Sequence, residues 1–267
     1  MSNHLIVDTS LQEQTSQADF SVIGHKSVLP TSTITGQAEN AAFPFSNALD
    51  YRDNTKYSPA ATSGSVVIEF VQSTPVTMDY FSFAVHNGGS SGLSGTLEVD
   101  AGSGYVTEVT FGSLKDNRPF LKYFGARTTA KQRLTLNFTS QLFIGSIYLG
   151  DAIVMARTPS LGFQPARYSP LDKVEQFTTD GNNFIIGRRI NKGFQTKASF
   201  RFIDFSFIDS IWEDFANHVL DSKPIYFKWS GIKDQTTFGL QNPRSLHKPR
   251  YVTSNHSNIS LEINGYA

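Results

Sequence analysis

The chain has no cysteine, which excludes disulfide bonds and thiol catalysis and fits assembly in a reducing cytoplasm. Tryptophan is scarce: there are only two, Trp212 and Trp229, both in the last quarter of the 267 residues. Net charge is missing as well, with 23 basic residues against 23 acidic ones. Residues 1–160 sum to −3 and the remainder to +3. A nucleic-acid binder would carry a clear basic excess, so no sequence-specific nucleic-acid partner is expected. No window holds 18 uncharged apolar residues, so no transmembrane segment is expected. The opening MSNHLIVDTSLQEQ has neither a basic n-region nor an apolar h-region, so no signal peptide is expected. What is abundant is phenylalanine, 22 residues, with 10 tyrosines. Phenylalanine on alternating positions suits strands that pack a β core, and some of it suits subunit interfaces.

One helix stands out. KASFRFIDF alternates as a half-buried strand, with Phe200 and Phe202 on one face. Ser206 is the expected N-cap, with Asp209 as a weak capping-box partner. In FIDSIWEDFANHVL, Phe207, Ile208, Ile211, Trp212, Phe215 and Val219 recur at helical spacing as one apolar stripe. Pro224 ends the helix region, and IYFKW returns as a strand with Ile225, Phe227 and Trp229 on one face. The expected core of this part is Phe200, Phe202, Ile211, Trp212, Phe215, Phe227 and Trp229.

The expected organisation has four parts. Residues 1–40 read as an extended arm with one or two strands. Residues 41–155 carry seven or eight short strands separated by turn formers, the pattern of a β-sandwich or jelly roll. Leu134, Leu136 and Phe138 point inward from QRLTLNF. HNGGSSGLSG, residues 86–95, reads as a flexible glycine-rich loop. Residues 156–171 hold three prolines and no period, a linker. Residues 172–267 read β-β-β-α-β-β-β, an α+β domain. The fold class is therefore mainly β.

Residues 41–155 resemble the galactose-binding-like, discoidin-type jelly roll through SNALDYRDNTKYSPA, SVVIEF, YFSFAVHN and the closing FIGSIYLGDAI. The resemblance implies a sandwich that binds glycans or serves as a spacer. It departs from glycan-binding members at Tyr57, where they commonly have tryptophan. Residues 172–267 resemble the ring-forming domain of bacteriophage tail proteins, of the tail-tube and distal-tail type. FTTDGNNFIIGRR leading into KASFRF, the single helix, KPIYFKWSGIKDQTTFGL and the terminal ISLEINGYA carry it. That likeness implies a split barrel with a flanking helix, assembled as a ring around a tail channel.

Chemistry is sparse. The six histidines show no metal-ligand spacing, and no pair of carboxylates takes acid and base roles, so no enzyme activity is expected. GGSSG at 88–92 matches G-x-S-x-G by letter, with no helix expected after it. Asn47, Asp50 and Asp53 in one loop are candidate calcium ligands, against the commoner role of Asx turns and a cap. Tyr51, Arg52, Tyr57 and His86 are the candidate glycan-binding residues. His218 is expected on the exposed side of the helix, and Glu213-Asp214 on a solvated face. The small basic clusters Arg188-Arg189-Lys192 and His247-Lys248-Arg250 read as solvated turn charge, or as contacts to an acidic neighbouring subunit or to DNA passing through a channel. No organic cofactor is expected.

Two functional classes follow. The first is a structural component of a phage tail tip, located in the virion and assembled in the host cytoplasm. Its partners would be other tail proteins in a homo-oligomeric ring or hetero-assembly, and its N-terminal domain would project as a decoration, partner-binding surface or weak glycan binder. The second is a monomeric carbohydrate-binding module or adhesin with a cell-surface glycan as partner.

Overall fold

The computed structural model describes residues 19–266, apart from 53, 101, 156, 169–172, 179–184, 192, 243–249 and 253–254. At 173–178, 185–191, 250–251 and 266 only the backbone is described. The strands in chain order are β1 (Ser21–Gly24), β2 (Thr33–Thr35), β3 (Gly64–His86), β4 (Ser94–Asp100) and β5 (Tyr105–Phe111). They continue as β6 (Phe120–Phe138), β7 (Ile144–Gly150), β8 (Ala152–Met155), β9 (Lys173–Thr178) and β10 (Ile185–Asn191). The last five are β11 (Phe194–Asp204), β12 (Ile225–Lys228), β13 (Thr236–Gln241), β14 (Arg250–Tyr251) and β15 (His256–Tyr266). A one-turn helix, α1 (Gly88–Ser91), follows β3, and α2 (Phe205–Leu220) follows β11.

The fold is mainly β. The first sheet runs β2-β3-β6-β4-β5, with β7 also on β3. Two long strands build both layers of a sandwich. Their ladder is interrupted between Val71 and Val76, where Pro75 has no N–H to give, and again between Met78 and Tyr80, opposite Gly125 at φ 89°. Before the bend, Val66, Ile68 and Phe70 are buried and Val67 is exposed, the alternation of a strand with one wet face. After it, Met78 to Ala84 are all buried, because this half lies between two layers. Phe81, Phe83, Ile147 and Leu149 pack against Ile68, Phe70, Leu97 and Leu134 to fill the sandwich.

The second sheet runs β11-β15-β13-β12-β1-β8, with β14 on β15. Its composition differs from a division of the sequence at residues 41 and 155. β1, from the N-terminal arm, pairs with β12 on one side and β8 on the other. The segment FIGSIYLGDAI is two strands rather than one. Its β7 pairs with β3 in the sandwich, while β8 pairs with β1. The sandwich thus emerges between two adjacent strands of the second sheet, leaving after Gly24 and returning at Ala152, which are register partners.

The layers stack as sandwich, second sheet, helix. Period-two alternation divides β1: Val22 faces the sandwich with Tyr80, Tyr148, Tyr226 and Phe238, and Ile23 faces the helix. The helix stripe Ile208, Trp212, Phe215 and Val219 packs on Ile153, Phe200, Ile225, Phe227, Leu261 and Ile263. Ile211 and Trp229 are only partly buried at the margin of this core.

Two expectations are corrected here. Phe202 is not core. The ladder to β15 shifts between Phe200 and Ile203, Phe202 takes φ 55°, and its ring is 48% exposed, so the bulge delivers Ile203 inward instead. The N-cap of α2 is Asp204, not Ser206: the Asp204 carboxylate accepts the Ser206 N–H at 2.9 Å. The reading of the basic clusters Arg188-Arg189-Lys192 and His247-Lys248-Arg250 concerns side chains outside the described residues.

A candidate ligand-binding cleft between the sandwich and the second sheet

The loop that opens the sandwich is braced from within. The Asp50 carboxylate accepts the Arg52 N–H at 2.9 Å and the Thr55 hydroxyl at 2.9 Å, and Asn47 Nδ2 donates to the Lys56 carbonyl at 3.0 Å. The Asp50–Arg52 bond is an Asx turn, and the other two tie the ends of the loop together. They leave Tyr51 in the left-handed region, φ 62°, which turns its ring towards the second half of the molecule. The ring meets Tyr148 edge-on at 5.5 Å and His218 at 6.3 Å, and the Lys223 ammonium lies 5.8 Å from its centroid. Partial burial raises the Tyr51 hydroxyl pKa above its ordinary value, with Lys223 working against that shift. Tyr51 is therefore a fixed half-buried ring, and Arg52 and Asn54 beside it are exposed.

Across from this loop lie Ser222, Pro224, Phe238, Leu240 and Asn264, and together they enclose a cleft of about 520 Å³. Gly239 and Gly265 pair directly across β13 and β15, and a Cβ on either would collide with backbone of the other strand. The floor at this point is bare backbone, which permits close approach. Leu240 is 47% exposed and adds an apolar wall, while Arg52, Asn54 and Asn264 bring polar groups to the rim.

The sequence candidates divide. Tyr51 and Arg52 lie on the cleft. Tyr57 does not: it is wholly buried, its ring sits edge-on to Phe45 at 4.9 Å, and its hydroxyl donates to the Gln37 carbonyl at 2.6 Å. His86 is also a structural residue. The Gly88 N–H donates to its Nδ1 at 2.9 Å, which leaves Nε2–H to donate to the Arg118 carbonyl at 2.7 Å. Burial lowers its pKa to about 4, so it stays neutral near pH 7. Residues 86–95 are not a loose loop: α1 occupies Gly88–Ser91, and Asn117 Oδ1 accepts the N–H groups of Gly89 and Ser90. Asn47 and Asp50 are committed to the turn, and Asp53 lies outside the described residues. No cluster of three or more His, Cys, Asp or Glu side chains with metal-binding geometry occurs among the described residues.

His218 is not exposed as expected. It is half-buried, with Nε2 at 3.0 Å from the Pro224 carbonyl and its ring edge-on to His25 at 5.5 Å. Asp214 is solvated but bridges the halves through Lys26 at 2.7 Å. The residues that sequence reasoning missed are Ser222, Phe238, Leu240 and Asn264. A signal for them did exist in the lone glycines within FGL and INGY, because a glycine inside a strand marks close backbone approach.

No known family model and no curated protein matches this chain. Solved structures similar to part of this chain include the one titled "Crystal structure of SpGH29", with 12% identity over 48% of this chain and a TM-score of 0.40. This chain spans only 28% of that protein. A chitosan-binding module from a Paenibacillus sp. IK-5 chitosanase/glucanase is similar at 18% identity, over 47% of this chain and 98% of the module, with a TM-score of 0.39. The CBM32 module of AlyQ, solved with 4,5-unsaturated mannuronic acid, is similar at 19% identity, over 47% of this chain and 96% of the module, with a TM-score of 0.37.

Proposed function

We propose that this protein binds a glycan without transforming it, in the cleft between the sandwich loop and the β13–β15 floor. The observation that carries this reading is the placement of Tyr51 and Arg52 on one cleft. A ring locked at its edge keeps a surface for a sugar ring, and an exposed guanidinium and two amides supply donors for hydroxyls. The bare Gly239–Gly265 floor lets a flat ligand approach the backbone. Retention on a panel of immobilised neutral and acidic polysaccharides tests it. Arg52→Ala and Leu240→Asp are expected to weaken retention at least ten-fold while the fold stays intact. Wild-type protein that binds no polysaccharide on the panel overturns the proposal.

A second reading is a structural component of a phage tail tip, in the virion, held by symmetric contacts to copies of itself or to other tail proteins. It is favoured by the β9–β10 hairpin, whose strands pair with each other and with no other described strand. Such a hairpin offers edges for pairing across subunits. The mass of the purified chain in solution, with negative-stain images, tests it. A closed ring supports this reading, and a monomer that also fails to co-assemble with tail proteins removes it.

A further inference from the structure

A second cleft, of about 580 Å³, opens on another side of the molecule, between residues 110–122 of the sandwich, Pro165–Arg167 and the turn from β12 to β13. Lys115, Arg118, Lys122, Arg167 and Lys228 line it, against the carboxylates of Asp116 and Asp234. Asp116 is already engaged by Arg118 at 3.4 Å. Asp234 is solvent-exposed and stands 3.9 Å from the Lys228 ammonium, beyond hydrogen-bond range.

Lys228 is the unusual residue. It is only 7% exposed, on a strand whose other members are Ile225, Tyr226 and Phe227. Among the described residues its ammonium makes one hydrogen bond, a 3.5 Å contact to the Leu121 carbonyl, the outer limit for such a bond. Directly across the ladder, Thr236 is also 7% exposed, and its hydroxyl has no hydrogen-bond partner among the described residues. A buried ammonium whose counter-charge, Asp234, stands 3.9 Å off on an exposed side chain is poorly compensated, and a buried hydroxyl without a partner adds to that cost. Burial lowers the Lys228 pKa, with Asp234 working against that shift and Lys122 adding to it. An entering oxyanion replaces this poor pairing with a charge-assisted bond. The wall beside it is apolar: Ile232 is 58% exposed, and Trp229 is steered by its Nε1–H bond to Gln235 at 3.1 Å.

We propose that this cleft takes the carboxylate of an acidic sugar, with Lys228 as its charge partner and the Trp229–Ile232 wall against the carbon skeleton. A single ammonium with a neighbouring hydroxyl suits a monoanion with two oxygens. The remaining cations raise the local concentration of anionic chains. The site is separate from the Tyr51–Arg52 cleft and does not depend on it.

Calorimetric titration of the full chain with a galacturonate trisaccharide, its neutral galactose counterpart and inorganic sulfate tests the assignment. The acidic trisaccharide is expected to bind at least ten-fold more tightly than the neutral one, and to weaken several-fold between 50 and 500 mM NaCl. Lys228→Met is expected to abolish that preference, whereas Lys131→Gln, at an exposed cation outside both clefts, leaves it unchanged. The Met variant removes a badly paired buried charge, so its thermal midpoint is expected to match or exceed wild type. Exchanging the exposed Lys122 and Arg167 for Gln keeps the interior untouched and is expected to lower affinity several-fold. Equal binding of the neutral sugar, or a preference that survives Lys228→Met, overturns the proposal. Binding of sulfate without the trisaccharide assigns the cleft to a free inorganic ion and overturns it too.

Discussion

Tyr148 and Tyr226 hold the two halves together reciprocally. Tyr148 stands on the sandwich strand β7 and donates its hydroxyl to the Pro224 carbonyl at 3.1 Å, just before β12. Tyr226 stands on β12 and donates its hydroxyl to Ser146 of β7, at 2.9 Å to Oγ. The two rings meet edge-on with centroids 5.0 Å apart, and both are buried. Each ring adds apolar area to the layer interface, and each hydroxyl satisfies an acceptor of the other strand.

Removing the Tyr226 hydroxyl takes the donor from Ser146, whereas the Pro224 carbonyl still has His218 Nε2 at 3.0 Å when the Tyr148 hydroxyl is removed. Tyr226→Phe is therefore expected to cost roughly 1–3 kcal/mol in urea unfolding, and Tyr148→Phe less. The residues touch, so the double variant is expected to deviate from the sum of the singles. Additivity within error would show that the two contacts are independent.

Phe200 and Phe202 are two residues apart and are expected to behave oppositely. Phe200 is fully buried, so Phe200→Ala should cost about 3–5 kcal/mol. Phe202 is half-exposed and left-handed at φ 55°, so Phe202→Gly relieves backbone strain of about 1 kcal/mol and should leave stability unchanged or raised. Denaturant midpoints of both variants check the contrast. A large loss at Phe202 would place that ring in the core.

Gly24 sits against the ring of Tyr80, which is fully buried and tied by its hydroxyl to the Lys26 carbonyl. A Cβ at Gly24 would overlap that ring, and the ring has nowhere to go. Gly24→Ala is therefore expected to lose about 1–3 kcal/mol. Gly112→Ala, where a Cβ meets nothing within 4 Å, is expected to stay within about 0.5 kcal/mol of wild type. Thermal melts of the pair measure the difference.

Acid should loosen the fold through its histidines. Burial, with His218 and Lys26 nearby, lowers His25 from 6.5 to about 3, and burial lowers His86 to about 4. Asp79 runs the other way: burial raises it from 3.8 to about 6. As pH falls from 6.5 to 4, the unfolded chain takes up two protons on these histidines that the native state refuses. Over pH 6 to 4 the native Asp79 holds a proton that the unfolded chain has released. The balance is one proton more on the unfolded chain. These three groups together are therefore expected to lower stability by about 1.4 kcal/mol per pH unit between pH 6 and 4. Urea midpoints across this range test the sign, and a profile that rises towards acid contradicts it.

The helix was the most legible part of the sequence, because its stripe is a local pattern. Ile208, Trp212, Phe215 and Val219 are buried as their spacing requires. The sandwich strands were legible for the same reason, as in the inward Leu134, Leu136 and Phe138. The route of β1 and β8 was not. Four-residue apolar runs carry no mark of their partner, and Val22 finds Lys228 across some 200 positions of chain. Phe202 escaped because a bulge shifts the period without a diagnostic residue. His218 lies off the apolar stripe, so nothing local showed that Tyr51 and His25 would cover it. Of the cleft, the loop half could be read from its turn formers and from Tyr51 and Arg52 among them. The strand half required knowing which strands close over it.

The pairing of Gly24 with Ala152 has a topological meaning. Seen from the second sheet, β1 and β8 form a hairpin, and the whole sandwich is the content of its turn. Paired strand positions lie about 5 Å apart, so any body whose ends meet at that spacing fits the same socket. Closing a longer connection costs only about 0.6 kcal/mol per doubling of its length. The sandwich is in this sense a cartridge, exchangeable at two peptide bonds, and a replacement would have to copy the inward face built around Tyr148 and the Tyr51 and Lys26 contacts to α2.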